Sequence, residues 1–295
     1  MTAQHLTLPA PAKLNLFLHI TGRRTDGYHL LQTLFQILDT GDELQFSANQ
    51  SGAIKLACND KSLEGTDNLI YRAAMALKPY AATDAGVEIF LDKKLPMGGG
   101  LGGGSSDAAT TLHALNKLWQ LNLAVAELAD IGLKLGADVP LFVEGYTAFA
   151  QGVGEKLTPV LLPEKVFLVV TPACHVSTVA VFTHPDLIRN SKVITEADVL
   201  NSFGTVGGNW LSNSCWRNDC QPLVERLYPI VALTLQWLVE YAPSRMTGTG
   251  ASLFAEFPDE ISARRALANL PDNCSGFVAR GVNRSPLLTA LEHAV

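Results

Sequence analysis

Between residues 95 and 109 the chain reads LPMGGGLGGGSSDAA, with six glycines in the seven positions 98 to 104 and two serines directly after. Glycine costs roughly 0.5–1 kcal/mol relative to alanine inside a regular element, so a cluster this dense needs a physical purpose. Holding an anion is the purpose these residue types suit. Backbone amides can turn inward with no Cβ in the way, and a following helix adds the positive end of its dipole and hydroxyls at its start. A strand, a glycine loop and a helix in that order suit a phosphate. A flexible surface loop is the other reading of the same composition.

The kind of phosphate site is narrowed by what is missing. Gly98, Gly100 and Gly103 match G-x-G-x-x-G, but among so many glycines that match is nearly automatic. A dinucleotide site also wants an acidic residue about 20 positions on, at the end of a second strand. Here Glu127 and Asp130 fall in a helical pattern instead. No lysine precedes the serines, so the G-x-x-x-x-G-K-[ST] loop is absent, and H-R-D and D-F-G occur nowhere in the chain. A nicotinamide-dependent oxidoreductase and a catalytically silent nucleotide-binding module are the remaining readings of other classes.

Two charged residues stand out beside the loop. Lys13 lies on the polar side of an alternating strand, where it is either a solvated edge lysine or a cation for chemistry. Asp138, in LGADVPLF, precedes Pro140 by two residues. That spacing suits a helix N-cap as well as it suits a base, and residue physics leaves the choice open.

The elements that must position these groups follow from periodicity. AKLNLFLHIT alternates, with Leu14, Leu16, Leu18 and Ile20 on one face and Lys13, Asn15, Phe17 and His19 on the other, which predicts a half-buried strand. A turn at Asp26-Gly27 follows, then LLQTLFQILD and DELQFS as separate strands, and DNLIYRAAMALKPY as a helix capped at Asp67 or Asn68. GVEIFLDKKLP is a strand leading into the glycines, and a helix begins at the serines, with Ala108, Leu112, Leu115 and Trp119 at helical spacing. VAELADIGLKLG is a helix, TAFAQG and KVFLVVTPA are strands, and residues 222–241 form a helix. MTGTGASLFAEF turns into a strand, EISARRALANL is a helix and GFVARGVN a last strand. Strands and helices mix without a βαβ rhythm, so the fold class is α+β. The prolines of LTPVLLPEK (157–165) mark the boundary between a domain of residues 1–160 and one of residues 161–295.

Composition sets the setting. Hydrophobic residues are 47% of the chain and charged residues 17%, an ordinary globular mixture. A net charge of −6 without a basic block gives no electrostatic support for nucleic acid. The five cysteines are odd in number and scattered, which suits a reduced, cytoplasmic compartment; Cys215 and Cys220 have no His partner nearby for zinc. No stretch has the length and apolarity of a membrane span, and the first residues lack the pattern of a signal peptide.

Pro96, then Gly100-Leu101, then Ser105-Ser106 with Ala108-Ala109 resembles the second motif of the GHMP kinase superfamily, which includes galactokinase, homoserine kinase and mevalonate kinase. PAPAKLNLFLHI (9–20) resembles its first motif and MTGTGASLFAEF (246–257) its third. AKLNLFLHITGRRTDGYHLLQTLFQ, KKLPMGGGLGGGSSDAA and LGADVPLFVEGYTAFAQGVGE are similar to the branch that phosphorylates a cytidyl diphospho-sugar alcohol on the non-mevalonate isoprenoid route. The similarity runs from about residue 9 to about residue 288.

The resemblance implies a two-domain GHMP kinase fold, with an N-terminal domain like domain 2 of ribosomal protein S5, a ferredoxin-like C-terminal domain, and the active site between them. It implies ATP and Mg²⁺, the metal ligands being left open, and passage of the γ-phosphoryl to the alcohol's 2-hydroxyl. Another GHMP-type kinase, acting on homoserine or a mevalonate-like alcohol, is the alternative. Pro96, Met97, Gly98, Gly99, Gly100, Leu101, Gly102, Gly103, Gly104, Ser105 and Ser106 would hold ATP. Lys13 and Asp138 would be catalytic, as cation and general base. Asn15, Tyr28, His29, Thr178, Phe182, Thr247, Gly248, Thr249 and Gly250 would meet the substrate, with Tyr28 and Phe182 stacking on its cytosine. The partners are small molecules, with no nucleic acid and no membrane, and the chain is a monomer or weak dimer. Asp107, a carboxylate beside an anion site, departs from members with alanine after the serines.

Overall fold

A computed structural model of the chain describes residues 5–204, 210–211 and 213–294. Its frame is a long antiparallel pair, β1 (His5–Arg23) and β2 (His29–Asn49), joined by a turn in which Gly27 has φ +92° and Asp26 Oδ1 accepts the Tyr28 N–H. The register of this pair shifts between Pro11 and Lys13 and again between Asn15 and Leu18. Such irregularities re-aim side chains, and here they flank the Lys13–Asn15 stretch.

β2 is one strand of 21 residues rather than the two expected on either side of Thr40-Gly41. Gly41 permits the continuity: a Cβ there would lie 2.0 Å from the Ala10 carbonyl oxygen of β1. β3 (Ile54–Cys58) runs parallel to β4 (Gly86–Asp92), which pairs with the far half of β2. β5 (Ala148–Gln151) pairs with β2 and with β6 (Lys156–Pro159). Beyond these, β7 (Val166–Pro172), β8 (Ser244–Met246), β9 (Leu253–Phe257) and β10 (Cys274–Val282) complete the order β3-β4-β2-β10-β7-β9-β8. The end of β10 reaches β2 through Gly281↔Leu38 and Val282↔Ile37.

Helices α1 (Leu69–Leu77), α2 (Gly103–Leu118), α3 (Val125–Leu133) and α4 (Val139–Glu144) pack their apolar sides against the β2–β4 end, sharing one core with Leu44, Phe46 and Leu91. Asn68 caps α1 by accepting the Ile70 N–H. α5 (Thr178–Thr183) and α6 (Glu196–Phe203) follow β7; then come α7 (Gln221–Leu227), α8 (Pro229–Val239), α9 (Glu260–Leu267) and α10 (Pro286–His293). The helix expected over 222–241 is two helices, because Pro229 has no N–H to give the preceding turn. Among the described residues no helix is long and apolar enough to cross a membrane.

β1 is buried on both faces from Ala10 to Ile20, not half-buried. Its polar-patterned side is covered by the chain that follows β7: Phe17 packs 5.1 Å from the Trp216 ring and 5.9 Å from Phe203, in a core with Phe167 and Phe254. Lys13 and Asn15 are therefore enclosed groups, 3% and 2% exposed.

Candidate active site

The glycine loop between β4 and α2 takes up conformations that only glycine adopts readily. Gly98, Gly100 and Gly102 have φ of +65°, +73° and +72°. The loop is pinned from two sides. On one, the Lys13 N–H donates to the Leu101 carbonyl at 3.0 Å; on the other, the Ser252 N–H reaches the Gly99 carbonyl at 3.2 Å. At Gly102 a Cβ would stand 2.8 Å from the Phe142 ring of α4. α2 begins at Gly103, two residues before the expected start at the serines, and no side chain caps its first turn. Those amides and the helix dipole face an open cavity of about 440 Å³, walled by Pro96, Met97, the glycines, Leu101 and Ser105, and beyond them by Ser62, Asn68 and Leu91.

The same cavity shows what Asp107 does. Lys93 Nζ donates to Asp107 Oδ2 at 2.9 Å and to Asp42 Oδ2 at 2.6 Å, so one buried lysine is shared between the acid beside the loop and Asp42. Burial is the chief cause pushing the Asp107 carboxyl up to about 7; Lys93 opposes that rise and Asp42 adds to it.

A second cavity of about 320 Å³ shares Gly100, Gly102 and Ser105 with the first. Lys13, Asn15 and Asp138 form its floor. Lys13 Nζ stands 3.5 Å from Asp138 Oδ2, donates to Asn15 Oδ1 at 2.5 Å and lies 5.2 Å from the centre of the Phe35 ring. Asn15 is itself fixed: its Nδ2 donates to Thr33 Oγ1 at 2.9 Å, and its backbone N–H to Thr247 Oγ1 at 2.9 Å. Burial draws the Lys13 ammonium below the usual lysine range, opposed by the charge and hydrogen bond of Asp138. Asp138 stands at the N-terminus of α4, yet its side chain makes no capping hydrogen bond. It faces Lys13 with about a third of its side chain open to the cavity, at 34% exposure.

The wall opposite is the turn between β8 and β9. Asn218 Nδ2 donates to the Met246 and Gly248 carbonyls, each at 2.8 Å. Gly248 has φ +57° and Gly250 +86°. Thr249 Oγ1 meets Thr178 Oγ1 at 3.0 Å, tying the turn to α5. Gly248, Thr249, Thr178 and Phe182 line the second cavity. Ser106, Thr247 and Gly250 line neither of the two cavities; Ser106 and Thr247 are fully buried, and Thr247 links Asn15 to the Gly100 carbonyl.

A third cavity of about 490 Å³ continues from the second through Leu31, Ala137, Val153, Thr178 and Phe182. Tyr28 and His29 stand on its β1–β2 side. Tyr28 is 64% exposed, an aromatic face free to receive a ring, whereas His29 is buried with its ring 5.1 Å from Phe182. Burial first, then the charges of Arg189 and Arg23, hold the His29 imidazole below its usual range. Sequence reasoning missed Arg189, Asn218 and the Asp42–Lys93 pair. Asn218 sits in the mixed polar segment 212–221, where nothing in the sequence sets it apart.

Two family models match the chain: GHMP kinases N terminal domain over residues 68–146 and GHMP kinases C terminal over residues 208–276. With the glycine loop at the head of α2, they define an ATP-dependent kinase of the GHMP type. The 4-diphosphocytidyl-2-C-methyl-D-erythritol kinase of Tolumonas auensis is 55% identical, over 99% of this chain and 98% of its own. That of Shewanella piezotolerans is 56% identical over 98% of each. A crystal structure of 4-(cytidine 5'-diphospho)-2C-methyl-D-erythritol kinase matches with a TM-score of 0.80 at 32% identity, covering 94% of this chain and 100% of that one. The chain belongs to the 4-diphosphocytidyl-2-C-methyl-D-erythritol kinase family.

Proposed function

We propose that this kinase moves the γ-phosphoryl of ATP to the 2-hydroxyl of 4-diphosphocytidyl-2-C-methyl-D-erythritol, giving the 2-phosphate and ADP, on the non-mevalonate route to isoprenoid precursors. The observation that carries the reading is the continuity of the three cavities, with Lys13 and Asp138 in the middle one. ATP lies in the first with its terminal phosphate at the shared wall of Gly100, Gly102 and Ser105. The cytidine end fills the third, between Tyr28 and Phe182 and beside His29. The sugar alcohol then spans the second, against Asn15, Thr178, Gly248 and Thr249.

Phosphoryl transfer of this kind is carried by positioning and charge neutralisation. Asp138, uncapped and open to the cavity, takes the hydroxyl proton as the oxygen attacks. The Lys13 ammonium, held by Asn15, offsets charge that develops on the oxygen and the moving phosphoryl. Amides of the glycine loop and α2 hold the phosphates. Thr247 and Gly250 act from behind, by shaping the turn.

Mg²⁺ fits this site as an ion borne on the phosphates of ATP. Among the described residues no three His, Cys, Asp or Glu side chains group to cage a metal, while Ser105 lines both phosphate-facing cavities and the Ser106 hydroxyl is buried without a hydrogen-bond partner. Bound there beside the Ser105 hydroxyl, it supplies further charge neutralisation at the phosphates.

In this reading residues 1–160 hold the nucleotide and residues 161–295 supply the Phe182 and Thr249 side of the substrate wall, in a cytoplasmic enzyme that is a monomer or weak dimer. Homoserine or a mevalonate-like alcohol is not favoured as acceptor, because neither has a base to fill the third cavity. Measuring ADP release with the cytidyl diphospho-sugar alcohol, homoserine and mevalonate tests this. Turnover with the first alone is expected; turnover with either of the others and not the first overturns the reading.

A further inference from the structure

Arg189 has five N–H donors and no acceptor, and all five directions are engaged. Nη1 donates to the Pro185 carbonyl at 3.3 Å and the Leu187 carbonyl at 3.0 Å. Nη2 donates to the Phe182 carbonyl at 2.9 Å and the His184 carbonyl at 2.7 Å. Nε donates to His29 Nε2 at 3.0 Å. The guanidinium thus ties the end of α5, which carries Phe182, to the start of β2, which carries His29. These are two walls of the third cavity.

A guanidinium stays protonated throughout the working range, so it can never accept a hydrogen bond. The imidazole nitrogen facing it must therefore present a lone pair. Because neutral histidine carries a single ring proton, that proton is placed on Nδ1. Nδ1 makes no hydrogen bond to any described residue. Around the ring, Arg189 after α5 and Arg23 at the end of β1 disfavour a second proton, and burial does so most. Asp26, the acid of the β1–β2 turn, is engaged by Arg24 at 2.7 Å.

We propose that Arg189 is a positioning residue that locks His29 in its Nδ1–H form, and that this fixed donor makes the third cavity select a pyrimidine presenting a ring-nitrogen acceptor, cytosine over uracil. The proposal rests on the reading that this cavity holds the base. Cytosine N3 is an acceptor and matches a lone donor, whereas uracil N3 bears a proton and would set donor against donor in a buried site. Without Arg189 the ring can carry its proton on either nitrogen and accept as well as donate, so the preference fades.

Nitrogen-15 NMR of the wild-type chain, with His29→Gln used to assign the signal, reads the tautomer with no dependence on turnover. A protonated Nδ1 and a bare Nε2 are expected; the reverse form or an even mixture overturns the proposal. Arg189→Met and Arg189→Lys are then assayed with the cytidyl substrate and its uridyl analogue. Expected for Arg189→Met is a cytidyl-to-uridyl ratio of kcat/KM reduced about tenfold or more, with KM for ATP unchanged and partial recovery in Arg189→Lys. Equal losses on both substrates would make Arg189 merely structural and overturn its selective role. If His29→Gln leaves KM for the cytidyl substrate untouched in the wild-type background, the placement of the base fails instead, and the NMR result separates the two failures.

Discussion

Gly100 lies so close under Thr247 that a Cβ on it would stand 2.4 Å from the Thr247 carbonyl oxygen. The contact joins the glycine loop to the β8–β9 turn, whose Gly248 and Thr249 line the central cavity. Gly100→Ala must adopt φ +73° with a side chain, at about 1–2 kcal/mol, and push the turn away as well. We predict a KM for ATP raised about tenfold or more together with a lowered unfolding midpoint. Steady-state kinetics and thermal melts check it, and an unchanged pair of values would mean that this contact does not shape the site.

Asp107 makes stability depend on pH in an unusual direction for a carboxylate. Its folded value of about 7 lies above the ordinary 3.8, so between those values the native state holds a proton that the unfolded chain has released. Stability from this group is full below the lower value and is lost as pH rises through the upper one. Asp107→Asn removes that dependence while Lys93 keeps Asp42 at 2.6 Å. Denaturant melts of both proteins between about pH 5 and pH 8 should show the variant gaining on the wild type as pH rises. Parallel curves would contradict the assignment.

Asn218 holds the β8–β9 turn by two hydrogen bonds to carbonyls and is 2% exposed. Asn218→Ala leaves both carbonyls without this donor, at a cost of about 2 to 4 kcal/mol in all. The expected result is a destabilised but folded enzyme whose KM for the alcohol substrate rises more than its KM for ATP. A melt and two KM values decide it; equal effects on both substrates would place the turn outside the substrate wall.

The glycine loop, the strand before it and the helix after it were legible because each has a strong local signal: density of glycine, alternation, and helical spacing. What lay across the chain was not legible. The pattern of β1 predicts one solvated face, but Trp216 and Phe203, from far along the sequence, cover Phe17. Gly41 reads as a break, and it is instead the point where β1 presses on β2. At Asp138 the sequence leaves cap and base equally open; the fold shows the carboxylate making no capping hydrogen bond and facing Lys13, which supports the proposed base role. Arg189 and Asn218 went unseen for a different reason: they act largely on backbone carbonyls, which leave no partner residue type to find in a sequence.

The claim on which the mechanism rests is that Asp138 accepts the proton of the attacking hydroxyl at the point where the nucleotide and alcohol cavities meet. Single-turnover phosphoryl transfer by Asp138→Asn, measured beside ATP affinity by calorimetry, tests it most directly. Transfer slowed about 100-fold or more is expected, with ATP affinity within about twofold of wild type. Transfer at near-normal rate in the folded variant, with both substrates bound, would contradict it.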